Sequence, residues 1–316
     1  MWSPILVVCS VLLAACANPM EQSHPVFRPY TGHSSPNTRA NFTLDELYSL
    51  QVRFWDNFVY NNTAQAASIN SSLLAPDILG RVDATRTFDG QELNTEYLFG
   101  LFANLANSTS LTLLGVPVSY EIIHFAGTQD ISAAATIVFF KSAIMGTFPV
   151  EIDSWITWNE QGQIWQYDAT YRWFANLLDA TIEAVASKSG SNNYTAAVAS
   201  LTDGLATAIC TIAQRHCTTP ETRQYADFGE CYETLARAKR FGKAYELGGD
   251  TLLCRMVHEN MVHLRPEVHC PHIGPTGGGM CVDDLQYAER VLQEYYTHAP
   301  MVPSGYESGN ASVDAW

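Results

Sequence analysis

Positive charge is scarce in this chain. Seventeen Lys and Arg stand against 32 Asp and Glu, a formal net charge of −15 over 316 residues, and such a field repels phosphate backbones and anionic lipid heads. The deficit is uniform, with 7 basic and 16 acidic side chains in residues 1–180 and 10 and 16 in the remainder, so no nucleic-acid partner is expected. A phosphate cradle is missing too: the glycines between Gly274 and Gly279 are not followed by Gly-Lys-Ser/Thr. Gly-x-Ser-x-Gly is absent, which removes sequence support for hydrolase chemistry. Beyond the first residues no long apolar run is evident, since Ala133 to Val150 is interrupted by Lys141, and no membrane span or lipid-anchor tail is expected. Residues 18–200 contain no cysteine.

What is present defines a compartment. Ile5 to Cys16 is apolar, too short for a bilayer, and ends in Ala15-Cys16-Ala17, a small-x-small cleavage pattern. A lipobox reading of Leu13 to Cys16 is disfavoured because no Lys or Arg precedes it. Asn-x-Ser/Thr occurs at Asn41, Asn61, Asn70, Asn107, Asn193 and Asn310, acceptors that belong on the surface of a secreted chain. A soluble, extracellular glycoprotein is expected. Removal of the leader leaves Cys210, Cys217, Cys231, Cys254, Cys270 and Cys281, an even set that predicts three disulfides with every connectivity open.

The cysteines also divide the chain. A signal peptide (1–17) and a linker (18–40) precede an α+β domain over 41–186. A second linker (187–199), a cysteine-rich helical domain (200–298) and a flexible tail (299–316) follow. Thr43 to Glu46 reads as a capping box, with Leu47, Leu50, Phe54 and Phe58 on one helical stripe behind it. From Val116 the period becomes two: Val116, Val118, Tyr120, Ile122 and His124 share a face, and strands follow over Ala133 to Lys141, Val150 to Trp158 and Ile164 to Phe174. On the last of these, Trp165, Tyr167, Tyr171 and Trp173 line one side. Helices followed by antiparallel strands give an α+β fold class.

The helix pair, the strands and the closing Trp158-Asn159-Glu160-Gln161-Gly162-Gln163-Ile164 hairpin with its aromatic strand make residues 44–180 resemble the nuclear transport factor 2-like superfamily, nearest its SnoaL-like branch. The resemblance implies a cone-shaped curved antiparallel sheet whose helices enclose a pocket. In related enzymes that pocket performs proton-transfer chemistry on polyketides or steroids; in other relatives it binds or dimerises. The cysteine-rich part falls outside it and is assigned to no family.

Such chemistry needs a base near neutrality and a donor for a developing enolate. His124, continuing an apolar face with Tyr120, is the candidate base, and Asp153 and Asp168 on neighbouring strands are candidates to orient it or to act as the base themselves. The bland alternatives are a structural histidine and a solvated Asp168–Arg172 ladder pair. Six of nine histidines lie in the C-terminal part. His258 and His263, five apart, cannot share one helical face, and His269-Cys270-Pro271-His272 is read as a ligand set only if Cys270 stays reduced. No metal or other cofactor is therefore assigned. Two functions stand: a secreted module binding a small hydrophobic or aromatic molecule or a protein partner, with a homodimer compatible; or a secreted lyase, cyclase or isomerase.

Overall fold

The computed structural model describes residues 39–103, 105, 112–190, 192–284 and 286–304. The leader, most of the first linker, Asn107, Asn310 and residues 305–316 lie outside the described residues. All described residues fall within one compact unit.

Helix α1 (Leu44–Tyr60) begins as its sequence predicts: Thr43 accepts from the Glu46 amide and the Glu46 carboxylate accepts from the Thr43 amide, two donors satisfied reciprocally. Its buried stripe comprises Leu47, Gln51, Phe54, Trp55 and Phe58. Gln51 is held in the core by Ser154 at 3.1 Å and Ser132 at 3.4 Å. After a short α2 (Asn62–Ala67) come β1 (Leu74–Val82), β2 (Thr87–Asp89) and α3 (Gln91–Leu98), then the four longer strands β3 (Val116–Thr128), β4 (Ile131–Ser142), β5 (Gly146–Trp158) and β6 (Ile164–Tyr171).

These form one curved six-stranded sheet in the order β2-β1-β6-β5-β4-β3, antiparallel throughout except where β1 runs parallel to β6. The α+β class is thus present, with a mixed sheet where an antiparallel one was expected. Strand β1 escapes a periodicity search because Pro76 and Gly80 interrupt it and its register to β6 shifts between Leu74 and Leu79. Gly80 permits close packing: a Cβ there would lie 2.1 Å from Asn94 Oδ1 and 2.3 Å from the Tyr167 ring.

The C-terminal part is helical: α4 (Phe174–Lys188), α5 (Tyr194–His216), α6 (Phe228–Glu233), α7 (Leu252–Glu259), α8 (Pro266–Ile273) and α9 (Tyr287–Leu292). Between α4 and α5, within the stretch expected as a linker, the described residues outside a helix are Ser189, Gly190, Asn192 and Asn193. Contrary to the expectation of no further apolar stretch, α5 is long and apolar enough to cross a membrane by length and composition. Its buried residues Leu201, Leu205 and Ile209 belong instead to a core shared with α4 and α7. The six cysteines pair at disulfide distance as Cys210–Cys231, Cys217–Cys270 and Cys254–Cys281.

This helical part is bound to the sheet along β1–β2 and α3. The Asn260 amide donates to the carbonyls of Gly100 and Ala103, Arg86 donates to those of Gly279 and Met280, and Arg265 pairs with Glu92 and Glu96. Of the tail expected from residue 299, residues 299–304 are anchored: Gln166 holds Ala299, and Arg39, paired with Asp130, donates to the carbonyls of Pro300 and Val302.

Candidate functional site

The concave side of the sheet, α1, α3 and α7 enclose a cavity of about 120 Å³. Strand alternation supplies one wall, since Ile152, Ser154 and Ile156 of β5 and Tyr167, Ala169 and Tyr171 of β6 share a face. Phe54, Trp55 and Phe58 come from successive turns of α1, Tyr97 and Leu98 from α3, and Phe102 from the segment after it. The helical part completes the enclosure with Leu247, Met256, Val257 and Asn260.

Among the described lining residues there is no Asp, Glu, His, Lys or Arg. Polar function is confined to hydroxyl, amide and indole groups, several already engaged: Ser154 accepts from Gln51, Asn260 caps carbonyls, and the Tyr97 hydroxyl lies 3.1 Å from His258 Nε2. Trp55 Nε1 and Tyr167 Oη are buried without a hydrogen-bond partner among the described residues. Burial holds the Tyr167 phenol well above its ordinary pKa, so it remains a neutral donor. An unsatisfied buried polar group costs about 1–3 kcal/mol, and two such donors on an apolar wall are positioned to meet acceptor oxygens of an aromatic guest.

The four residues singled out for acid–base chemistry do not converge on this cavity. A register shift in β3 between Ile122 and His124 inserts one extra residue, which keeps Tyr120, Ile122 and Phe125 packed on the core and leaves His124 exposed. Asp153 pairs with Arg172, and Asp168 with Arg81 on the adjacent strand β1. The Tyr120 hydroxyl donates to Asp56 at 2.8 Å. Arg172, weighed as the partner of Asp168, instead contacts Asp153 and Glu151. The expected effect of His124→Ala follows from that exposure: stability within about 0.5 kcal/mol of wild type. A loss of several degrees in Tm would show that the exposed ring does more than its surroundings indicate.

The histidine motif resolves differently from its sequence reading. Cys270 is oxidised, yet His269 and His272, three apart on α8, meet His258 of α7, and one ring nitrogen from each lies within 4.8 Å of the others. Cys270 takes no part in this cluster. Two histidines at a three-residue helical spacing share a face, a signal the sequence did carry; the partner on another helix was not readable. Burial and the neighbouring rings hold His258 well below its ordinary pKa, and burial with His269 and Arg86 holds His272 at about 4. His263 stays outside the cluster, its ring 6.4 Å from that of His216.

Comparison with known proteins covers both halves. Residues 52–169 match the family model of the BfoA N-terminal domain, and residues 172–284 that of the BfoA family C-terminal domain, so the cysteine-rich part left unassigned above has a family. The chain is 49% identical over 265 residues to bifonsecin B biosynthesis cluster protein A of Aspergillus brasiliensis, covering 83% of this chain and 88% of that protein. It is 48% identical over 271 residues to aurasperone B biosynthesis cluster protein A of Aspergillus niger, covering 85% and 87%. Among solved structures, similarity extends to a protein described as a SnoaL-like polyketide cyclase from Jannaschia sp. CCS1, with TM-score 0.34 and 9% identity over 42% of this chain and 90% of that one. An uncharacterised cystatin-like protein from Silicibacter pomeroyi DSS-3 has TM-score 0.31 and 16% identity over 49% and 97%. Matched across both of its domains and nearly half identical to its relatives over most of its length, this chain belongs to the BfoA family.

Proposed function

We propose that this chain is a secreted glycoprotein that binds a small, flat aromatic molecule bearing oxygen acceptors, as part of the biosynthesis of such a molecule. The observation that carries the reading is the cavity itself: an apolar, aromatic wall free of charged side chains, with the buried donors Trp55 Nε1 and Tyr167 Oη left without partners. The relatives named for the bifonsecin B and aurasperone B biosynthesis clusters support a biosynthetic setting. Three disulfide pairs support an oxidising compartment. Asn41, Asn61, Asn70 and Asn193 are exposed, as glycan acceptors must be.

The probe is 1-hydroxy-2-acetonaphthone, an aromatic ketone with a phenol, followed by quenching of tryptophan fluorescence. Saturable binding is expected. Tyr167→Phe should weaken it about tenfold through loss of one hydrogen bond, and Ala169→Trp should abolish it by filling the cavity. Absence of saturable binding, or binding unaffected by Ala169→Trp in a folded variant, would refute the reading.

One observation favours a second reading, acid–base turnover: the Tyr97 hydroxyl on the cavity wall is hydrogen-bonded to His258. Its distinguishing result is a chemically altered ligand recovered from wild type and not from Tyr97→Phe.

A further inference from the structure

His258, His269 and His272 are 0%, 0% and 8% exposed, and none of them lines the ligand cavity. Three imidazoles sealed together pose a bonding problem. His258 Nδ1 and His272 Nδ1 lie 3.3 Å apart, so one shared proton satisfies that pair. The third ring is not served. Both nitrogens of His269 are buried without a hydrogen bond, although Nε2 is 3.2 Å from the Glu96 carboxylate. A cation between the rings would use the lone pairs that a proton cannot. Two nitrogens bound to one tetrahedral zinc at about 2.0–2.1 Å stand about 3.3–3.4 Å apart, and the His258–His272 pair already has that separation.

The surroundings agree. Metal-bound imidazoles present their second nitrogen to an orienting oxygen; here Tyr97 Oη lies 3.1 Å from His258 Nε2 and Glu96 Oε2 faces His269 Nε2. The helices that carry the rings are covalently fixed, through Cys270 between His269 and His272 and through Cys254 one turn before His258. With both cysteines oxidised the donor set is nitrogen only, which suits zinc, copper or nickel over harder ions.

We propose that His258, His269 and His272 bind one late first-row divalent metal ion, of which zinc is the first to test, with Tyr97 and Glu96 orienting the ligands. The site is closed to solvent and joins α3, α7 and α8, so its ion stabilises the fold.

Elemental analysis of untagged protein purified without chelator should find about one ion per chain, the stoichiometry of a single structural site. Chelator-stripped protein should melt several degrees lower and recover on adding Zn²⁺. Loading it with Co²⁺ should give the visible ligand-field band of a nitrogen-coordinated ion. His269→Gln, chosen to keep side-chain bulk, should lose the ion and the band, whereas His263→Gln should keep both. Wild type that is metal-free as purified, and neither melts higher nor develops a band with excess Zn²⁺, Cu²⁺, Ni²⁺ or Co²⁺, would overturn the proposal and leave a hydrogen-bonded histidine core. A band unchanged in His269→Gln would overturn it equally. Should that variant fail to fold, the wild-type cobalt titration decides alone.

Discussion

Arg255→Ala should lower the stability of the folded chain by about 3–5 kcal/mol, because it removes a fully buried, multiply hydrogen-bonded guanidinium and leaves carbonyl partners unpaired at about 1–3 kcal/mol each. The guanidinium is fully buried on α7, and each of its three nitrogens donates a hydrogen bond. Nε donates to the Gly274 carbonyl at 3.0 Å, Nη1 to that of Thr251 at 2.9 Å, and Nη2 to Asp250 at 2.7 Å and to the Pro275 carbonyl at 3.1 Å. Truncation leaves the Gly274 and Pro275 carbonyls after α8 without this donor, removes one bond from the Thr251 carbonyl at the start of α7, and leaves Asp250 with Lys239. Lysine is no substitute, because one ammonium cannot span these directions, so Arg255→Lys should recover only a minor part. Asp250 should also give the pair a pH signature. Burial pushes its carboxyl up, but the bonds from Lys239 and Arg255 more than reverse this and hold its pKa below the ordinary value. A lowered folded-state pKa means its contribution is present above about pH 4, the unfolded value, and is lost as pH falls through the folded one. Urea melts of wild type and Arg255→Ala at neutral and acidic pH measure both effects. A neutral loss below about 1 kcal/mol, the net worth of one ordinary hydrogen bond, would refute the account.

Arg255 also illustrates what sequence reading recovers and what it misses. Local rules worked where the determinant is local. The Thr43–Glu46 capping box, the stripe of α1 and the strands near Val116, Ala133 and Val150 were all legible, because each depends on spacing along one element, whereas the cysteine count announced three disulfides and not their connectivity. Failures occurred where one residue changes the parity or where the partner is distant. The extra residue in β3 turns His124 outward. Trp173, placed on the aromatic face of a strand, instead adopts a left-handed conformation at the start of α4 and is 73% exposed. Strand β1 is parallel to β6 across some ninety residues and carries Pro76 and Gly80, so nothing in its own pattern announces it. The cavity was expected from resemblance, but the residues facing it were not: Tyr167 was legible as an aromatic strand residue, whereas the unpartnered state of its hydroxyl and of the Trp55 indole is a property of packing alone. The buried charge of Arg255 is of the same kind, since the sequence presents it as one basic residue among seventeen.

The second large effect concerns Cys217–Cys270. The three bonds interlock along the chain: Cys217 lies inside the Cys210–Cys231 loop, Cys270 lies inside the Cys254–Cys281 loop, and Cys217–Cys270 joins the two. Its separation of 53 residues is the longest of the three, and loop-closure entropy makes that bond worth about 4 kcal/mol against the unfolded chain. The 21-residue Cys210–Cys231 loop is worth about 3 kcal/mol on the same argument. Without Cys217–Cys270, the unfolded chain retains only two small separate loops and gains the freedom that the bond had removed. The folded chain loses the tie between the end of α5 and α8, at the residue between His269 and His272. The double variant Cys217→Ala/Cys270→Ala, which avoids burying new hydroxyls, should therefore unfold at markedly lower denaturant than wild type and lower than Cys210→Ala/Cys231→Ala. Thiol titration of unreduced, unfolded wild type should find no free thiol among the six. If the two double variants melt together, loop length does not govern their stability. If Cys217→Ala/Cys270→Ala melts with wild type, the bond that interlocks the other two is not the brace its position makes it.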